Sequence, residues 1–178
     1  VDGSIRMGKI SDLINCAKQI QARYPDEELV IFKTDFKSAY RCCPIDPDHH
    51  EYAEFVFWNF DDQQTQYAVH YAMPFGSIAA VYAWDRLAHA LTHLIRKVMI
   101  VPAIRYVDDL FGIMFKRDLE NFQTMLLELV TELGFTLEKE KTPIPQSDQV
   151  VLGIQLQIKR TKIRGDQRAH VHAQIDPQ

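Results

Sequence analysis

Residues 104–115 read IRYVDDLFGIMF. Apart from Arg105 and the adjacent Asp108 and Asp109, every position is apolar or glycine. Such a run reads as strand buried on both faces. Carboxylates in that setting are costly unless they are paired or bind a metal. Whatever fold forms must bring this acidic pair to a bend or a rim, where it is either solvated or, if kept from water, paired with a cation.

The rest of the chain gives the bend its neighbours. Residues 9–23 have Ile10, Leu13, Ile14, Ala17 and Ile20 at helical spacing, with Pro25 beyond the end. LVIFKTDF at 29–36 reads as a central strand ending at Asp35. Residues 53–60 and 66–73 flank DDQQT and read as a hairpin. After the break at 74–77, Ser77 can cap a helix reaching about Lys97, with Trp84, Leu87, Leu91, Leu94 and Ile95 along one face. Strands are expected on both sides of the aspartates. A helix is predicted over 118–133, with Asp118 as N-cap and Gly134 as its stop. Residues 149–158 are expected to return as a single strand. Setting the inserted hairpin aside, the order strand–helix–strand–strand–helix–strand predicts an α+β fold of the ferredoxin-like split βαβ type, an antiparallel sheet backed by two helices.

In that topology the first strand lies beside the bend. Asp35 would then meet Asp108 and Asp109 although Asp35 and Asp108 are 73 positions apart. Like charges at close range call for a cation. With no Cys or His partner nearby, the hard donor set suits Mg²⁺, which keeps waters and accepts phosphate oxygens as further ligands. Two such ions would serve an in-line phosphoryl displacement.

Charge and cysteine usage narrow the setting. The chain of 178 residues is expected to hold one main domain, 1–158, and a basic tail, 159–178, containing Lys159, Arg160, Lys162, Arg164 and Arg168. The net charge of −4 argues against a simple basic nucleic-acid binder. Cys16, Cys42 and Cys43 offer no disulfide framework and no C-x-x-C. With no apolar leader and no spanning segment, the expected location is intracellular, cytoplasm or nucleus, without a membrane partner. His89 and His93, His49 and His50, and His170 and His172 read as solvated positions rather than metal ligands.

KTDFKSAYRCCPI at 33–45 resembles the first catalytic motif of reverse transcriptases. YAMPFGSIAAVYAWDRL at 71–87 resembles the second and YVDD at 106–109 the third. LGFTLEKEKT at 133–142 is similar to the fourth, and VLGIQL at 151–156 to the primer-grip hairpin. The order and intervals cover about residues 28–158, with the flavour of LTR-type or tyrosine-recombinase retroelements. Ala80 and Val81 stand where the second motif usually continues to a proline.

The resemblance implies a polymerase palm with partial fingers, acting as RNA-directed DNA polymerase on deoxynucleoside triphosphates, a primer and an RNA or DNA template. Asp35 and Asp108 would ligate two Mg²⁺ (Mn²⁺ as a substitute), with Asp109 a secondary ligand or support and the Phe36 carbonyl completing one sphere. Tyr40 would lie under the sugar and exclude a 2′-hydroxyl. Phe75 would stack on a template base, Gly76 would allow close backbone approach, and Tyr106 would pack near the primer end. Lys141, or Lys139 beside it, would donate a proton to pyrophosphate. The segment preceding Asp35 lacks the family's basic fingers residues and no thumb or nuclease region follows, so the chain is expected to be a fragment of a retrotransposon polyprotein. Two other readings stand beside it: a catalytically silent remnant that binds nucleic acid or is only structural, and an RNA-synthesising polymerase sharing the palm.

Overall fold

The acidic run folds as a hairpin. The computed structural model describes residues 5, 7–163 and 166–175, with side chains as far as 159 and at 172–174. In it β4 (Ala103–Tyr106) and β5 (Asp109–Phe115) are joined by Val107 and Asp108 alone. Val107 takes a left-handed φ of 55°, the kind of backbone that lets a two-residue turn follow the twist of its strands. β1 (Leu29–Asp35) pairs antiparallel with the other edge of β5, from Leu29 opposite Phe115 to Asp35 opposite Asp109. The sheet order is β1-β5-β4. As the central strand, β5 is buried from Leu110 to Met114, which accounts for its unbroken apolar sequence.

Strand alternation sorts the side chains to two faces. Leu29, Ile31, Ile104, Phe111 and Ile113 join a core with Leu13 and Ala17 of α1 (Ile10–Arg23) and with Val151 and Leu156. The other face carries Phe32, whose ring lies 4.6 Å from Phe122 on α3 (Leu119–Glu132). α2 (Ile78–Met99) is tied to β4 near its end, where Arg96 Nε donates to the Ala103 carbonyl at 2.6 Å. Asp118 stands at the N-cap of α3 but makes no capping bond. It is the last residue of a 3-10 turn, Lys116–Asp118, and its carboxylate lies 3.8 Å from Arg117 Nε instead.

Residues 149–158 are two strands, not the single one their apolar content predicts. β6 (Asp148–Val151) and β7 (Ile154–Ile163) form a hairpin through Leu152 and Gly153, both left-handed, with φ of 51° and 72°. Two successive positive φ values are what a tight two-residue hairpin turn requires. β8 (Asp166–Ile175) pairs with β7, giving a second sheet in the order β6-β7-β8. Two residues before β6, Gln146 forms an isolated antiparallel bridge with Ile31 of β1. The fourth place of a split βαβ sheet is thus filled by one bridge rather than a full strand. Residue 158, where the sequence reading ends the body, lies within β7, and β8 packs against α1.

The chain divides into two compact units, Ser38–Leu87 and the remainder. Within Ser38–Leu87, β2 (Glu54–Asn59) and β3 (Gln64–Val69) form a two-stranded hairpin. β3 begins two residues earlier than expected. Asn59 closes the turn by accepting from the Asp61 amide and donating to Asp62 Oδ2, both at 2.9 Å. Residues 70–73 leave the strand: the Tyr71 carbonyl accepts from the Ile45 amide, and the Met73 amide donates to the Cys43 carbonyl.

Candidate active site

Antiparallel pairing places Asp35, the last residue of β1, directly opposite Asp109, the first of β5. On the far side of Asp109 stands Tyr106, the last residue of β4. These three form one row across the end of the sheet on one face, and Asp108 occupies the adjoining turn. Lys33 precedes Asp35 by two residues, so it shares that face.

Two ammonium groups partly balance the carboxylates. Lys141 Nζ stands 2.8 Å from Asp35 Oδ2, and Lys33 Nζ 3.5 Å from Asp109 Oδ1. Asp35 is 5% exposed, and its second oxygen, Oδ1, is buried with no hydrogen-bond partner among the described residues. Such an oxygen is expensive to keep and calls for a donor or a cation. Burial pushes the Asp108 carboxyl above its ordinary pKa, and the charges of Asp35 and Asp109 push the same way. A backbone hydrogen bond and the Lys141 charge oppose them. Lys141 is itself held above the usual lysine value, first by its hydrogen bond to Asp35 and then by that residue's charge.

The position of Lys141 follows from how residues 136–142 are laced to the end of β1. The Lys37 amide donates to the Thr136 carbonyl and the Glu138 amide to the Asp35 carbonyl, each at 2.8 Å. Phe36 and Leu137 form a bridge. Thr142 Oγ1 donates to the Glu138 carbonyl at 2.8 Å, so at the 2.9 Å contact between hydroxyls Thr34 is the donor to Thr142. A 3-10 turn, Lys139–Lys141, follows, and Lys141 is the lysine it brings to Asp35. Lys139 instead lines an apolar groove with Leu126, Leu127 and Leu137.

Phe36 is buried, with its ring edge-on to Phe135 at 6.1 Å. Tyr106 is 44% exposed. Tyr40, Phe75 and Gly76 belong to Ser38–Leu87. There Tyr40 and Phe75 make an edge contact with centroids 5.1 Å apart, and Phe75 is largely exposed. Gly76 has φ of 87° with open space where a Cβ would sit, so it is the backbone conformation that favours glycine there. Lys33, unremarkable in the sequence, joins this row through Asp109. The two-residue period of K-T-D was the available signal.

Among the described residues, no three His, Cys, Asp or Glu side chains gather as a metal-holding group. The donors at the row are nonetheless carboxylate oxygens without nitrogen or sulfur ligands, and one is buried and unsatisfied. That chemistry fits a hard divalent cation.

An antiparallel sheet with helices, carrying an acidic strand-end row, is an α+β arrangement compatible with a polymerase-like fold. The family model described as "Reverse transcriptase (RNA-dependent DNA polymerase)" matches residues 4–156, and the chain belongs to that family. No curated protein matches the chain.

Proposed function

We propose that this chain is the palm of a retroelement reverse transcriptase. It transfers deoxynucleotides to a primer 3′-hydroxyl under the direction of an RNA or DNA template. The observation that carries this reading is the pairing of Asp35 with Asp109, beside Asp108, where a buried carboxylate oxygen lacks a partner.

Asp35 and Asp108 would hold two Mg²⁺, with the Phe36 carbonyl as a further ligand. When bound, the ions supply activation of the hydroxyl and charge stabilisation for departing pyrophosphate. Asp109 supports the site electrostatically, and Lys33 balances its charge. Lys141 Nζ, an ammonium at neutral pH by its ordinary basicity, is the proton donor to pyrophosphate. Tyr106 packs beside the primer terminus. In Ser38–Leu87, Tyr40 excludes the 2′-hydroxyl, Phe75 stacks on a template base, and Gly76 keeps the backbone open to nucleic acid.

Primer extension on an RNA template with deoxynucleotides and Mg²⁺ tests the reading. DNA product that disappears in Asp35→Asn and Asp108→Asn supports it. Nucleic-acid binding without extension would replace it with a silent remnant, and ribonucleotide incorporation with an RNA polymerase.

A further inference from the structure

The contact between Lys141 and Asp35 has a consequence for how the site takes up its metal. Asp35 offers two oxygens: Lys141 Nζ holds Oδ2, and Oδ1 is buried and unpartnered. A divalent cation on this carboxylate would face the ammonium across a single functional group. Two positive charges at that range repel strongly in a site as buried as Asp35.

The two partners differ in freedom. The Lys141 side chain is 65% exposed and that of Asp35 is 7% exposed. Lys141 can swing into water, whereas Asp35 is fixed at the end of β1. The swing need not disturb the backbone, because residues 138 and 142 keep their own bonds to Asp35 and Thr34. Lys33 differs: it leaves from within β1 and meets Asp109, which stands about a quarter exposed at 26%.

We propose that Lys141 is an internal cation that occupies Asp35 in the metal-free protein and is displaced when a divalent ion binds there. This rests on the metal-binding reading given above. Ammonium and metal then weaken each other's hold on Asp35 by the same factor. Lys33 remains on Asp109 throughout. Metal uptake thus frees the Lys141 side chain while its backbone stays anchored beside β1.

The test is Mn²⁺ binding to the full chain without nucleotide, followed by the electron paramagnetic resonance of free Mn²⁺. Lys141→Gln is expected to bind Mn²⁺ roughly three- to fivefold tighter than the unaltered protein, as loss of one competing ion pair that water screens on its lysine side allows. Asp35→Asn should lose that binding. A second measurement needs no variant: acylation of lysines, read by mass spectrometry, should accelerate at Lys141 as Mg²⁺ is added and stay constant at Lys33. If Lys141→Gln fails to fold, this labelling decides. Equal Mn²⁺ affinity with and without Lys141, while Asp35→Asn still abolishes binding, would overturn the competition and leave the metal reading standing. Labelling at Lys141 that ignores Mg²⁺ would do the same. Absence of any Asp35-dependent Mn²⁺ binding would overturn both.

Discussion

At Asp108, the proposed metal-ligand role and stability pull apart. Its carboxyl is held above the ordinary carboxylate pKa by burial first, and then by Asp35 and Asp109. A raised carboxyl pKa means the folded chain binds that proton more tightly than the unfolded chain does. Ionising Asp108 therefore subtracts stability as pH rises from the ordinary carboxylate value through the raised one, and the loss is complete at neutral pH. Asp108→Asn should thus raise neutral-pH stability slightly, by under about 1 kcal/mol given solvent screening. The gain should vanish below the ordinary carboxylate range, as urea titrations at several pH values will read. The same variant should lose primer extension to below a few per cent; an active Asp108→Asn would mean the carboxylate is not a ligand. Tyr40→Ala is expected to admit ribonucleotides with extension retained. Unchanged sugar selectivity in a competition assay would remove the gate from Tyr40.

Among the elements, β5 carries the tightest constraint. Gly112 faces Phe32 across the strand pair, and a Cβ there would stand 2.3 Å from the Pro102 carbonyl oxygen and 2.5 Å from the Phe32 ring. That carbonyl also accepts from the Ile113 amide at 3.1 Å, so it is not free to retreat. Gly112→Ala should destabilise by about 3 kcal/mol through overpacking, measured as a lower urea midpoint with unchanged slope. The apolar run that made β5 readable in sequence did not reveal this contact, because close approach depends on which strands become neighbours. The same division recurs elsewhere. Asp35 and the aspartate pair were legible because an acidic strand end is rare in an apolar setting. Lys33 was not, because a single lysine in a strand looks solvated until Asp109 arrives across the sheet from 76 positions later. Residues 149–158 pattern as one strand because Leu152 is apolar although it occupies a turn. Only the resemblance of 151–156 to a hairpin motif pointed to the break that Leu152 and Gly153 make.

The molecule as a whole holds elements of very different burial. β5 is covered by a strand on each edge and by side chains on both faces. β2 is exposed from Glu54 to Trp58, and among the described residues its only ladder partner is β3. Around that hairpin, Phe57 at 41%, Trp58 at 48%, Phe60 at 77% and Tyr67 at 75% remain exposed, so aromatic side chains that would stabilise a buried sheet contribute little here. A two-stranded ribbon is marginal by itself, and local opening is governed by how much buried contact is lost. Amides of β2 and β3 should therefore exchange with solvent by local fluctuation, while those of β1 and β5 wait for global unfolding. Hydrogen exchange read by mass spectrometry is expected to show at least about a hundredfold slower exchange in β1 and β5, the ratio that a gap of about 3 kcal/mol produces. Equal protection in the two regions would mean that the hairpin opens only with the core, and that its exposed aromatics understate what holds it in place.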